Sequence, residues 1–227
     1  MKNIFLSVIL FATGLSFSQI IDLDRISKEI TNSESPFFYE KLVEEFSTQP
    51  LILLSDSLKS QHLYYGKLYS NYYKKSAEFK STYLKFMKLA GAKKYLKAIQ
   101  SGEELLEKDP VNLMVYMSLI TCYKNSKGSE KRTKELEIRA EVLMKTIASC
   151  GDGKSKKTAF KVISSGDEIT LLNYLGINPE KYSRSSEKLN PETILDIWTK
   201  NKKYTEDHRN IIYVEIFENI SKKIIKN

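Results

Sequence analysis

The chain has 227 residues, 41% of them hydrophobic, 28% charged and 11% aromatic, with a net charge of +8. Glycine and proline together number only 14 and there are two cysteines, which excludes collagen-like and low-complexity chains, disulfide scaffolds and Cys-rich zinc modules. What remains is an ordinary folded chain of one large domain or a domain with an appendage.

Residues 1–18 read as a secretory signal: Lys2 supplies the positive start, Ile4 to Phe11 the apolar run, and Ser16-Phe17-Ser18 small residues around the cut. The expected mature protein begins at Gln19, with export to the periplasm or beyond. The apolar run is too short for a membrane span, so no transmembrane anchor is expected, and the absence of a cysteine near the cut excludes a lipoprotein anchor. The basic residues are mostly lysine, with five arginines, which argues against nucleic acid as a partner. The densest run is Lys74, Lys75, Lys80, Lys85, Lys88, Lys93, Lys94 and Lys97, opposed only by Glu78. A solvated helix face or an anionic envelope surface would each account for it.

From Gln19 to Ser149 the pattern is helical. Ser35-Pro36 predicts a helix start, Pro50 its stop, and Ser55 or Asp56 the next cap. Leu58, His62, Tyr65, Tyr69 and Tyr72 make a stripe at steps of four and three, with His62 as a core histidine. Further helices are expected from Ser81 to Ala90, Ala92 to Lys108 and Val111 to Tyr123, then along the stripe Leu136, Ala140, Leu143, Ile147. Ala98, Pro110, Tyr116, Leu119 and Tyr123 fall at tetratricopeptide-like offsets, suggesting a stack of antiparallel helical hairpins. Cys122 and Cys150, at opposite ends of antiparallel helices, should be free buried thiols.

After Cys150 the texture changes. Thr158 to Ser164, Ile194 to Thr199 and Ile211 to Phe217 read as strands, and Asp167 as the cap of a short helix ending before Gly176. The predicted class is α+β, mainly α: a helical region over 19–149, then a small antiparallel sheet with one helix over 150–227.

Chemical signatures are sparse. Gly153-Lys154-Ser155 imitates a P-loop ending, but Ala148 stands where its first glycine belongs and a helix precedes it. Lys154 and Lys156 occupy positions a calcium loop would give to carboxylates. His62 and His208 have no metal-ligand spacing, so no metal, cofactor or catalytic set is assigned. The candidate contact or joint positions are Tyr64, Tyr65, Tyr73, Gly151, Asp152, Gly153, Asp167 and Glu168. Gly151 is expected to take a positive φ past the helix end, and Asp152 to bond the turn's backbone.

Leu63-Tyr64-Tyr65-Gly66, Asp109-Pro110, Gly151-Asp152-Gly153, Ala159-Phe160-x-Val162-Ile163 and Asp167-Glu168 occur in this order. Together they resemble the exported bacterial family called domain of unknown function 4919. The resemblance runs from about Ile21 to Ile220; Cys150 replaces a usual serine, and Ile169 a usual aromatic. It implies fold and location and brings no activity. The leading functional expectation is a non-enzymatic module binding an envelope protein or peptide. The rival is an envelope hydrolase using Asp152, Asp167 and Glu168. A buried carboxylate with a raised pKa in a cleft would favour the rival, and a tyrosine-lined groove the binding module.

Overall fold

The computed structural model describes residues 21–204 and 209–217. The expected signal segment and His208 lie outside the described residues. The class is α+β, mainly α, as the patterning implies.

α1 (Leu23–Thr31) is capped by Asp22, whose carboxylate accepts from the Arg25 N–H at 2.9 Å. α2 (Tyr39–Thr48) begins later than Ser35-Pro36 predicts, because the Ser35 hydroxyl is spent on a local turn with the Phe37 N–H. Pro50 both follows α2 and opens α3 (Pro50–Ser55). Asp56 caps α4 (Ser57–Gly66) through the N–H groups of Leu58 and Lys59. The stripe from Leu58 to Tyr72 is not one helix: after Gly66 the chain tightens, and Ser70 caps the short α5 (Asn71–Lys74).

α4 is the centre of the molecule. α1, α2, α3 and α9 (Glu130–Ala148) all pack against it, and every residue from Ser60 to Gly66 is buried. His62 is fixed there, as a core histidine should be. Its Nδ1 lies 2.8 Å from the Leu58 carbonyl and its Nε2 2.7 Å from Glu29, with Phe37 stacked on the ring. The helical part is therefore not a uniform run of hairpins: helices gather around α4 at one end. Among the longer helices, successive packing runs through α6 (Lys80–Gly91), α7 (Tyr95–Lys108), α8 (Leu113–Asn125) and α9. Gly102 sits where these meet, since a Cβ there would lie 2.7 Å from Phe86 of α6 and 2.6 Å from Leu119 of α8. The stripe Leu136, Ala140, Leu143, Ile147 of α9 is buried along its length. Cys122 and Cys150 are buried, and no disulfide joins them.

Beyond α9 come β1 (Phe160–Val162), α10 (Ser165–Tyr174), β2 (Tyr182–Asn190), β3 (Thr193–Lys200) and β4 (Ile211–Phe217). The sheet order is β1-β4-β3-β2. Contrary to the antiparallel expectation, the sheet is mixed. β1 runs parallel to β4, with Phe160 opposite Val214, because α10 and the β2–β3 hairpin intervene as a crossover. β2 escapes the sequence reading because it is an edge strand with only its first residue buried, so it carries no apolar alternation. α10 is capped by Ser164, not Asp167: the Ser164 hydroxyl accepts from the Asp167 N–H at 3.0 Å.

The Gly151–Gly153 turn links α9 to the sheet. The N–H groups of Asp152 and Gly153 both donate to the Thr158 carbonyl, and the Gly153 carbonyl accepts from Tyr213 of β4. The positive φ belongs to Gly153 (+65°) and not to Gly151. Gly151 is required for space, because a Cβ there would lie 2.6 Å from the Thr158 carbonyl oxygen and also against that of Ala159. Backbone cannot yield as a side chain does. Gly151→Ala should therefore lose about 1–3 kcal/mol of stability in a denaturant titration, whereas Asp152→Asn, which keeps the acceptor, should stay within about 0.5 kcal/mol. An unchanged unfolding midpoint for Gly151→Ala would show that the turn can open without cost.

Candidate functional site

Two tyrosines of α4 join the helical body to the sheet-bearing part. The Tyr64 hydroxyl donates to Asp167 Oδ2 at 2.8 Å and accepts from the Ile163 N–H at 3.2 Å. The Tyr65 hydroxyl donates to the Lys161 carbonyl at 3.0 Å. The rings meet edge to face, with centroids 4.9 Å apart. Sequence periodicity assigns only one of the two to the core; both are buried, because α4 is enclosed on every side. Burial pushes both phenols well above the ordinary tyrosine pKa. Both hydroxyls are engaged inside the fold, as joint positions between its two parts.

Tyr73 does line an opening. A cavity of about 250 Å³ lies along this seam, walled by Lys67, Tyr73, Tyr83, Asp109, Met114 and Asp167 among others. The buried Lys67 ammonium donates to Asp109 Oδ2 and to the Val111 carbonyl, each at 2.7 Å. The Asn112 amide adds a third bond to Asp109 Oδ2 at 2.8 Å, while Asp109 Oδ1 is buried with no partner. The Tyr83 hydroxyl donates to the Met114 sulfur at 3.0 Å, a weak acceptor. Burial raises the Asp167 carboxyl above its usual range, although the Lys67 charge and the Tyr64 hydroxyl pull the other way.

Lys67, Tyr83 and Asp109 escape sequence reasoning, which treats Asp109-Pro110 as a helix breaker. A signal was present: an acid at the C-terminal end of α7 faces the negative end of the helix dipole and needs a cation. Lys67 is that cation.

Glu168 faces the opposite way. Its Oε1 accepts from the Trp198 indole at 2.7 Å, and its Oε2 lies 3.3 Å from Arg184. Arg184 also binds Asp196 through Nε at 2.8 Å, stacks on Trp198, and shares Asp196 with the Ser186 hydroxyl. Two buried carboxylates thus meet one guanidinium. Burial, with the Asp196 charge beside it, pushes Glu168 up to about 7.

Asp152 joins neither acid. Its carboxylate accepts from the Lys154 N–H at 3.0 Å, and its own carbonyl accepts from Arg209. A hydrogen bond with Thr158 holds its pKa below the usual range. The structure thus gives Asp167, Glu168 and Asp152 three separate environments. Among the described residues, no group of three or more His, Cys, Asp or Glu side chains is placed to hold a metal ion. Nor is any helix of the described residues long and apolar enough to cross a membrane.

A helical body joined to a mixed four-stranded sheet, with a small charged cavity on the seam, defines the class of this protein. The profile of the family Domain of unknown function (DUF4919) matches residues 24–222, and the chain belongs to that family. No curated protein and no solved structure matches it.

The raised acids fix a pH dependence. A carboxyl whose pKa is higher folded than unfolded binds more protons in the native state, so stability is full below the unfolded value. It is then lost as pH rises through the folded one. For Glu168 that window runs from the ordinary 4.5 to about 7, with Asp167 acting in the same sense. Unfolding free energy should therefore fall between pH 5 and pH 8. Glu168→Gln, which retains an oxygen for the Trp198 indole, should flatten the fall by up to about 3 kcal/mol. Urea titrations at the two pH values check this; a variant with the same slope as the parent would assign the effect to other groups.

Proposed function

We propose that this protein is an exported, non-catalytic binding module of the cell envelope, whose seam cavity receives a side chain or terminus of a protein or peptide partner. The cavity carries the reading. About 250 Å³ suits one such group, and Tyr73 and Tyr83 offer rings with hydroxyl edges. Its charges are already matched, Lys67 to Asp109 and Asp167 to Tyr64, which fixes their positions before any partner arrives. The unpartnered Asp109 Oδ1 is a further acceptor for a donor group. Export is supported by the pattern of Lys2, the apolar run Ile4 to Phe11 and Ser16-Phe17-Ser18. Intact-mass measurement of protein recovered from the envelope should give a chain starting at Gln19; retention of residues 1–18 would overturn the export reading.

One observation favours a second reading, an envelope hydrolase. Asp167 stands in the cavity wall with its carboxyl raised, as a general acid requires. This reading comes second because Asp109, the other carboxylate of the wall, is engaged by Lys67 and Asn112. Asp152 and Glu168 have partners of their own elsewhere.

The two readings separate on one pair of variants, using a peptide identified by capture on the mature chain from envelope extract. Calorimetry should show at least a tenfold loss of affinity when Tyr73→Ala and Tyr83→Ala are combined. Asp167→Asn, which keeps an oxygen for Tyr64, should bind within about threefold. Peptide cleavage by the parent that Asp167→Asn abolishes would install the hydrolase instead.

A further inference from the structure

The positive charge of this chain is gathered in one place. Between Lys74 and Lys97 stand eight lysines and one acid, Glu78, a local +7 against +8 for all 227 residues. All eight lysines are exposed. Several lysines elsewhere pair with carboxylates, as Lys59 does with Glu45, Lys108 with Glu104 and Lys145 with Glu141. None of these eight forms a salt bridge among the described residues.

The fold explains why they are left outward. α6 is a peripheral helix that packs on α7 and α8 and buries only Phe86 fully. Leu84, Lys85 and Lys88 therefore share its outer side. A tight turn follows, with Lys93 at φ +57° and the Lys94 N–H donating back to the Leu89 carbonyl. Lys93 and Lys94 stand in that turn, and Leu96 and Lys97 in the first turn of α7, all four exposed. Leu84 is 57% exposed, and Leu96, at 75%, is the most exposed large hydrophobic residue of the described chain. A face kept only for solubility has no use for two such leucines amid cations.

We propose that the α6–α7 hairpin is a peripheral docking surface for an anionic lipid bilayer. Lysine ammonium groups meet headgroup phosphates, and Leu84 and Leu96 enter the interfacial layer. Lysines around protruding apolar side chains match a negatively charged leaflet in both charge and polarity. Nucleic acid fits less well, since the segment from Lys74 to Lys97 contains no arginine for bidentate phosphate or base contacts. The proposal does not rest on the seam cavity, whose walls carry none of these lysines or leucines.

Co-sedimentation of the purified chain with vesicles tests it. Vesicles of equal parts phosphatidylglycerol and phosphatidylcholine should retain the protein at about 50 mM salt, and phosphatidylcholine alone should not. Retention should fall tenfold or more at about 500 mM salt. Lys85→Gln, Lys88→Gln, Lys94→Gln and Lys97→Gln combined should weaken binding at least a hundredfold, at roughly fivefold per lysine. The same charge loss at Lys131, Lys134, Lys154 and Lys157, exposed lysines outside the hairpin, should change it less than threefold. Leu84→Ser with Leu96→Ser should cost about tenfold with an unchanged melting temperature, so misfolding cannot produce the loss. Equal losses in the two four-lysine variants would overturn the proposal in favour of bulk charge. Binding to heparin as tight as to vesicles, and indifferent to the leucines, would overturn it in favour of a general polyanion surface. Absence of binding to the anionic vesicles would overturn it outright.

Discussion

The Tyr64 hydroxyl holds the two parts of this molecule in register. It lies in the interior, takes a hydrogen bond from the Ile163 backbone and gives one to Asp167. A phenol so buried must satisfy both its donor and its acceptor, because an unmade bond there costs about 1–3 kcal/mol. The requirement fixes α4 against both the strand end after β1 and the first turn of α10. The Tyr65 bond to the Lys161 carbonyl adds a second fixed point one residue along. With α4 pinned, the cavity walls follow, since Lys67 lies just past its C-terminal end.

Around that seam, buried charge is handled by pairing it in two directions. Asp167 and Glu168 are adjacent in α10, and neighbouring helical residues diverge by about 100°. One therefore reaches the helical body and the other the sheet. Each meets a donor held by another element, Tyr64 in one case and Trp198 in the other. Burying two acids side by side is unfavourable, and each is tied to a contact that fixes the orientation of α10.

Much of this was legible in the sequence. The α+β class, the stripe of α9, a cap at Ser55 or Asp56 and the strand Ile211–Phe217 all follow from local patterns. So does the textural change after Cys150, because it reflects a real switch of apolar period. What stayed hidden was whatever depended on partners distant in sequence. β2 is polar because it is an edge, and the direction of β1 is set by a strand some 50 residues further on. The site was half legible: Tyr73 and Asp167 do line the cavity, but Lys67 and Asp109 gain meaning only once the turn after α4 meets the connection between α7 and α8, and Tyr83 only once α6 meets Met114 of α8. Gly151 shows a correct residue with a different reason, since close approach of carbonyl oxygens, and not a left-handed backbone, demands it.

The parallel pairing of β1 with β4 also orders events in time. Phe160–Val162 is made early, yet its hydrogen-bonding partner Val214–Ile216 comes near the end of the chain. Until that segment arrives, β1 is an unpaired apolar strand beside an already helical body, and the β2–β3 hairpin has no inner neighbour. The entropy of closing so long a loop grows only logarithmically with length, so the delay is a matter of sequence order more than of free energy. Helices with local contacts can form as they are synthesised. The four-stranded order cannot be completed before β4 is available, because β4 lies between β1 and β3, which makes that strand the clasp of the fold.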